Sequence, residues 1–298
     1  MNQESSRIDI AVLGMGAMGS RMAGRMRSAG HNVRAWTRSR TLPEPLKDLG
    51  VISCTSAAEA VSGVAIVIAM LRDDSASQAV WLGEDGVLKS VGPESLIIEC
   101  STLSPRWIER LAEEARTRSL ACVEAPVLGS RPQAEAGQLL ALLGGDEKNA
   151  ERARAVIAPF APRAFYLGQA GLAAAAKLVI NGLYAGQVAM LAECTAFLKA
   201  SGVRDSTWLE LLGTAPTIAP PIAAAGRVMS SGTHAPMFPI ELVRKDLAYL
   251  VEAMQAKHVS ATLPLAVGKR FSEAESMGLG DKNITAVSLL DKAQIPNA

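Results

Sequence analysis

Aromatic side chains are scarce, at 4% of 298 residues. The core must therefore rest on aliphatic and small side chains, a mix that suits closely packed helices. Apolar residues still reach 49%, enough for a large core and contrary to a disordered chain. An excess of either charge is also missing. Thirty basic residues face 29 acidic ones, for a net charge of +1. Nothing is left over to neutralise a nucleic-acid backbone, so no nucleic-acid partner is expected. Cysteine is limited to Cys54, Cys100, Cys122 and Cys194, with no C-x-x-C spacing and no nearby histidine cluster. These read as reduced thiols buried as small hydrophobes, and no metal site is expected. Long lipid-like runs are missing too. The polar start, Met1–Arg7, lacks a signal-peptide hydrophobic region, and the run Val64–Leu71 is too short to span a bilayer. The expectation is a soluble cytoplasmic protein without a membrane partner.

What is present begins with glycine. Gly14-Met15-Gly16-Ala17-Met18-Gly19 directly follows the apolar run Ile8–Leu13. A strand that breaks into a G-x-G-x-x-G turn and then a helix is the arrangement that holds a dinucleotide pyrophosphate. Gly14 permits the tight turn, Gly16 keeps a Cβ away from the phosphates, and Gly19 lets the helix pack close. The helix N-terminus then offers free N–H groups and partial positive charge to the anion.

The pattern divides the chain in two. Strands are predicted at Ile8–Leu13, Asn32–Trp36, Ala65–Met70, Leu96–Glu99, Ala121–Glu124, Leu139–Leu143 and Ala164–Leu167. Helical spacing occupies Ser20–Ala29 and Ser104–Arg118. Repeated strand–helix units imply a parallel sheet covered on both faces. The last two strands lack a long predicted helix before them, so the sheet is expected to end in a mixed or antiparallel edge. After Gly168-Gln169-Ala170-Gly171 the character changes. Leu172–Ala200 contains no proline and favours helix, with Gly182 and Gly186 spaced for close approach of another helix. A helix of about 30 residues is roughly 45 Å long. That exceeds a small domain, so part of it is expected to pack on another subunit. Asp205–Ala298 reads as further helices, broken near Pro216–Pro221, Ser230–Pro239 and Gly278–Asp281. The expected fold is α/β. A Rossmann-type dinucleotide-binding domain (1–167) is followed by an all-α substrate and dimerisation domain (168–298), joined by a long interdomain helix.

A missing carboxylate selects the cofactor. NAD sites place Asp or Glu at the end of the second strand to bind the ribose 2′-hydroxyl. Here no carboxylate occurs between Gly30 and Pro43; Thr37, Arg38, Ser39 and Arg40 stand there instead. A 2′-phosphate requires cationic, fork-shaped donors, so the residues favour NADP(H), with Arg38 as its main partner. The competing reading is a solvated basic loop.

Hydride transfer to a carbonyl also needs a proton donor. The three histidines are poor candidates: His31 precedes a strand, His234 lies in a Pro/Gly-rich loop, and His258 is assigned to a polar helix. Lys177 stands in an otherwise apolar stretch, with Asn181 four residues on and on the same helix face. Burying an amine is costly unless something requires it, and burial lowers its pKa toward the working range. That suits a general acid/base. The same window equally fits a snorkelling lysine whose stem covers apolar surface.

Taken together, these residues resemble the β-hydroxyacid dehydrogenase family across nearly the whole chain. Gly14–Gly19 with Met22-Ala23 is similar to its N-terminal signature. Met70-Leu71 before Asp73-Asp74, and Ser101-Thr102 before Pro105, resemble its cofactor-side loops. Glu124–Ser130, running on to Ala134, Gly137 and Leu139, resembles its substrate segment. Gly168-x-x-Gly171 with Lys177 and Asn181 resembles its catalytic segment, and Phe238-Pro239 with Lys245-Asp246-Leu247 its helical-domain motif. The resemblance implies hydride transfer between a nicotinamide and a small carboxylated aldehyde or ketone, in a homodimer or homotetramer. Lys177 would protonate the nascent alkoxide and Asn181 would help position substrate. Lys245 would lie near the nicotinamide ribose or substrate, and Asp246 would help close the cleft.

One position departs from that pattern. Leu128 stands where the family usually carries a serine that binds the substrate. Losing that hydrogen bond costs about 1–3 kcal/mol if a substrate oxygen is left unpaired. Backbone N–H groups of Leu128 and Gly129 remain to bind a carboxylate, with the Ser130 hydroxyl nearby. Alternatively Leu128 signals a bulkier or more apolar substrate. The stretch Gly129–Pro132 with Ala134-Glu135 resembles the glyoxylate/succinic semialdehyde reductase branch. Two other readings compete: imine reduction on the same scaffold, whose members typically lack the lysine, and a non-catalytic NADP-binding module.

Overall fold

The structure, a computed structural model, describes residues 7–39 and 41–292. Met1–Ser6, Arg40 and the last six residues lie outside that description. The chain forms two compact units, Met1–Lys177 and Leu178–Ala298.

The first unit is a nine-stranded sheet. Strands β1 (Asp9–Leu13), β2 (Asn32–Trp36), β3 (Ile52–Ser53), β4 (Ile66–Ala69), β5 (Leu96–Glu99) and β6 (Ala121–Glu124) pair in parallel, in the order β3-β2-β1-β4-β5-β6. The connections are α1 (Gly19–Ser28), α2 (Glu44–Asp48), α3 (Ala57–Val61), α4 (Asp74–Leu82) and α5 (Pro105–Arg116). Then β7 (Val127–Leu128), α6 (Arg131–Ala136), β8 (Leu140–Gly145), α7 (Glu147–Ile157) and β9 (Arg163–Tyr166) complete the mixed edge. There β8 runs antiparallel to β6 and β7 and parallel to β9. An 11-residue helix, α7, does precede β9. Its charged run Glu147–Arg154 masks the apolar side formed by Ala150, Ala153, Val156 and Ile157. The two-residue strands β3 and β7 were too short to show a period.

Both faces of the sheet are covered, as a parallel sheet requires. One core joins Ile10, Val12, Ile68 and Ile98 to Met22 and Met26 of α1 and Ile157 of α7. The other joins Ala11, Val67 and Ile97 to Trp81 of α4 and to Trp107 and Leu111 of α5. Helix α5 starts after Ser104, whose hydroxyl accepts the Trp107 N–H at 3.1 Å, with Pro105 at its first position.

Helix α8 (Leu172–Ala200) begins in the first unit and continues into the second. Its early residues Ala173 and Ala174 are buried in the first unit, so the compact boundary falls inside the helix rather than at the Gly168 turn. By length and composition α8 is apolar enough to cross a membrane, which the short Val64–Leu71 run did not reveal. Its apolar residues serve two cores: Ala174 in the first unit, and Ala185, Val188 and Leu191 in the second.

The second unit adds α9 (Asp205–Thr214), α10 (Pro220–Ser231), α11 (Ile240–Ala256), α12 (Thr262–Ala274) and α13 (Leu289–Lys292). A single π-helical turn, Glu275–Leu279, follows α12. His258 is not on a helix; it takes a left-handed conformation (φ 57°) just beyond α11 and opens a break that no Gly or Pro announces. Of the two glycines in α8, Gly182 is the one in close approach: a Cβ there would sit 2.5 Å from Leu250 Cδ2 of α11, which would have to move aside. At Gly186 a Cβ would find ordinary contact, 3.8 Å from Val267.

Candidate active site

The strand order reverses at β1, which lies between β2 and β4. Open α/β sheets bind ligands beyond the carboxyl ends of the strands at such a switch point. The glycine turn stands there. Gly14 has φ 99°, and a Cβ on it would lie 2.3 Å from the Met70 carbonyl oxygen. A Cβ on Gly19 would lie 1.9 Å from the Gly14 carbonyl oxygen, so that glycine closes the turn on itself rather than on the strand. Gly16 differs: nothing lies within 4 Å of its would-be Cβ, and it is exposed with Ala17 at the tip. The backbone at Gly16 is therefore open to a ligand, in the turn that leads into α1. Met15 is buried in the core, so only its backbone faces the turn, and Met18 is half-buried.

The end of β2 is tied to this turn, since Gly14 N–H donates to the Trp36 carbonyl at 2.8 Å. Thr37 follows, half-buried, and Arg38 and Ser39 are exposed. Arg40 lies outside the described residues. The residues after β4 and β5 are locked together. Leu71 N–H donates to Ser101 Oγ at 2.6 Å, and Ser104 N–H and Oγ donate to Asp74 at 2.9 and 2.5 Å. The Ser101 hydroxyl donates in turn to Glu99 Oε1, which also accepts Ser101 N–H at 3.1 Å. Glu99 Oε2 accepts from Ser77 Oγ at 2.9 Å and Trp81 Nε1 at 2.8 Å, and Trp107 Nε1 donates to Ser77 at 2.9 Å. Glu99 is fully buried, and that burial pushes its pKa up while these donors hold it down. The Ser101 side chain is therefore a brace between two loops, and Thr102 and Met70 are the half-buried residues beside it.

Leu128 lies in strand β7, opposite Leu140, half-buried. Gly129 follows at φ 116°, with Leu139 Cδ2 2.8 Å from its would-be Cβ. Ser130 starts α6: its N–H donates to Gln133 Oε1 at 3.0 Å in a capping box. The S-x-x-Q spacing already carried that signal, so Ser130 N–H is occupied by the fold.

Lys177 is on the second turn of α8 and only 7% exposed. The helix that carries it is anchored by the first residue of the expected substrate segment, which was given no role of its own. Glu124, at the end of β6, accepts N–H bonds from Gly171 (2.7 Å), Ala173 (3.1 Å) and Ala174 (2.8 Å). Its signal was an acidic residue closing a buried strand, as at Glu99, its in-register partner on β5.

In the second unit Asn181, one turn along α8, donates through Nδ2 to Asp246 Oδ2 at 2.6 Å. Lys245 Nζ lies 3.0 Å from Asp246 Oδ1 and 5.2 Å from the Tyr249 ring centre. Asp246 is buried on α11 and so joins two of the predicted polar residues.

A nine-stranded, mainly parallel sheet with a glycine turn at its switch point, followed by a helical unit, defines an NAD(P)-binding oxidoreductase. Comparison with known proteins narrows the class. Residues 9–168 match the family described as the NAD binding domain of 6-phosphogluconate dehydrogenase. Residues 171–290 match the family described as NAD-binding of NADP-dependent 3-hydroxyisobutyrate dehydrogenase. Glyoxylate/succinic semialdehyde reductase 1 of Arabidopsis thaliana is 29% identical over 94% of this chain and 97% of its own. The 3-hydroxyisobutyrate dehydrogenase of Pseudomonas aeruginosa is 30% identical over 93% and 97%. The structure of Mycobacterium tuberculosis 3-hydroxyisobutyrate dehydrogenase with L-serine superimposes with a TM-score of 0.86 at 27% identity, covering 95% and 99%. The chain belongs to the β-hydroxyacid dehydrogenase family, and is an NAD(P)-dependent oxidoreductase acting on hydroxyl and aldehyde groups.

Proposed function

We propose that the protein is an NADPH-dependent reductase that interconverts a small carboxylated aldehyde, semialdehyde- or glyoxylate-like, with its hydroxy acid. The turn Gly14–Gly19 would hold the pyrophosphate, and Arg38 with Thr37 and Ser39 the 2′-phosphate. Met70, Leu71, Thr102 and the braced Ser101 would line the nicotinamide side. The bound dinucleotide supplies hydride. Lys177 delivers the proton to the carbonyl oxygen. Asn181 orients the substrate, and Asp246 fixes the Asn181 amide through their 2.6 Å hydrogen bond. The backbone of Leu128 and Gly129 receives the substrate carboxylate, and Lys245 serves the ribose or substrate.

The observation that carries this reading is the burial of Lys177 in an alanine-rich helix, 7% exposed where a snorkelling lysine would reach solvent. A relative named for glyoxylate and succinic semialdehyde supports the substrate class. Self-association through α8 belongs to the same reading. Ile180, Leu183, Met190 and Phe197 form an exposed apolar stripe at helical spacing, with Leu183 63% and Phe197 68% exposed. Such a stripe fits a symmetric partner.

The test is NADPH oxidation over glyoxylate and succinic, methylmalonate and tartronate semialdehydes, with Lys177→Ala as control. Turnover of at least one aldehyde, abolished in the control, is expected. Wild-type rates in Lys177→Ala, or turnover of cyclic imines alone, would overturn it.

A further inference from the structure

Glu124 has no part in the chemistry described above, yet its geometry is specific. An α-helix leaves its first N–H groups without intrahelical partners. In α8 the start of the helix is served by one carboxylate that arrives from the end of a different element, β6. Oε1 takes Gly171 and Ala173, and Oε2 takes Ala174. These are charge-assisted bonds to the positive end of a helix dipole, so they fix both the axial position and the rotation of the first turn. Lys177 lies three and four residues beyond Ala174 and Ala173, on the same side of the helix. A shift or rotation of that turn is carried directly to its amine.

The sheet is shaped around this carboxylate. Gly144 of β8 is the in-register partner of Glu124. A Cβ on Gly144 would come 2.2 Å from Glu124 Oε1 and 2.9 Å from its Cδ. Any larger residue at 144 would therefore push the carboxylate off the helix.

We propose that Glu124 is a positioning residue for the reaction: it sets the placement of the Lys177 amine through the first turn of α8, and Gly144 is the space it needs. The proposal rests on the reading of Lys177 as proton donor. The charged and titratable groups that bear on Glu124 are Glu109 on α5, Cys122 on its own strand and Glu99, its in-register partner on β5. Burial raises Glu124 to about 7, with the three N–H groups opposing and Glu109 adding to the rise. The grip on the helix therefore changes charge within the working pH range.

The experiment compares Glu124→Gln, Glu124→Asp, Gly144→Ala and the double variant Glu124→Asp/Gly144→Ala. Four quantities are measured: kcat and KM against pH, NADPH Kd by fluorescence, amide exchange at 171–174, and acylation of Lys177 by an N-hydroxysuccinimide ester. Misplacing a catalytic group by about 1 Å costs on the order of 100-fold. Glu124→Gln and Gly144→Ala should therefore lower kcat roughly 10- to 100-fold. NADPH Kd should stay within about twofold, while amide exchange and Lys177 acylation quicken. The kcat limb near pH 7 should move or vanish in Glu124→Gln. Glu124→Asp withdraws the carboxylate from the helix and should lower kcat as Glu124→Gln does, and adding Gly144→Ala to it should cost little more, because the methyl then meets vacated space. Unchanged kcat and acylation in Glu124→Gln, or fully additive losses in the double variant, would overturn the proposal. If Glu124→Gln fails to fold, the Gly144→Ala pair decides alone. If the wild type turns over no aldehyde, the functional reading fails, while exchange and acylation still decide whether Glu124 places Lys177.

Discussion

Two glycines of one motif should fail in opposite ways. At Gly16 an added methyl meets no protein atom within 4 Å. Folding stability should therefore hold in Gly16→Ala, or rise by about 0.4–1 kcal/mol because alanine restricts the unfolded chain. The methyl would instead stand where the pyrophosphate approaches the backbone. Overpacking of this kind costs about 1–3 kcal/mol, which is roughly a 5- to 150-fold rise in dinucleotide Kd. At Gly19 the methyl would lie 1.9 Å from a backbone oxygen, the Gly14 carbonyl, which no side-chain motion can relieve. Gly19→Ala should lose about 1–3 kcal/mol of stability or more before any ligand is added. For a unit of this size each kcal/mol lowers Tm by about 2–4 °C. Calorimetric unfolding without cofactor and titration calorimetry with NADPH separate the two effects. Wild-type NADPH affinity in Gly16→Ala, or equal loss of stability in both variants, would refute this division of labour.

Other expectations follow from the same geometry. Arg38→Asp should raise KM for NADPH roughly 10- to 150-fold, the worth of hydrogen bonds to a charged group, and leave KM for NADH nearly unchanged; equal effects on both would remove Arg38 from cofactor choice. Leu128→Ser should shift relative rates across the aldehyde panel by about 2- to 10-fold, and an unaltered ranking would free that position from any role in specificity. Leu183→Glu places a charge in the exposed stripe of α8 and should abolish the proposed self-association in light scattering; a monomeric wild type would refute the association. Stability should also track Glu124. Its folded pKa, about 7, lies above the ordinary value of a free carboxylate, about 4.5, so the folded state binds its proton more tightly. The stability that proton confers is complete below about pH 4.5 and is lost as pH rises through 7, by roughly 3 kcal/mol for this group alone. The stability difference between wild type and Glu124→Gln should fall over that window, and a difference that rises with pH would contradict it.

Much of the first unit was legible because its signals are local. The strands β1, β2, β4, β5 and β6 are short apolar runs, and α1 and α5 show helical spacing with glycine or serine-proline starts. Elements that depend on distant partners were not. β7 is two residues long and exists through its pairing with β8. The break before α12 is made by His258 in a left-handed conformation, which residue type does not announce. At the site, some residues whose backbone or hydroxyl serves the fold looked the same as residues that meet a ligand. Ser130 announced its internal use through the S-x-x-Q spacing, whereas the bond of Ser101 to Glu99 and Leu71 carries no such local signal. Asp246 was legible as polar, but its bond to Asn181 joins positions 65 residues apart.

Glu99 and Glu124 show why buried carboxylates are tolerated at the carboxyl ends of two interior strands. They are in-register neighbours on β5 and β6, and neither has a salt-bridge partner among the described residues. An isolated buried charge is prohibitively costly unless hydrogen bonds replace its water. Each carboxylate accepts from several donors, and the donors belong to different segments. Glu99 takes Ser77, Trp81 and Ser101, and through Ser101 reaches Leu71. Glu124 takes the start of α8. A neutral hydrophobe could fill either space but would leave those donors unpaired. Burial thus makes each carboxylate intolerant of any loop arrangement that withdraws a donor. In the proposed reaction that intolerance is useful, because one carboxylate holds the loops assigned to the nicotinamide and the other holds the helix that delivers the proton. A Leu at either position should consequently cost more in ordered loop geometry, seen as faster amide exchange at Leu71 or at 171–174, than in core packing.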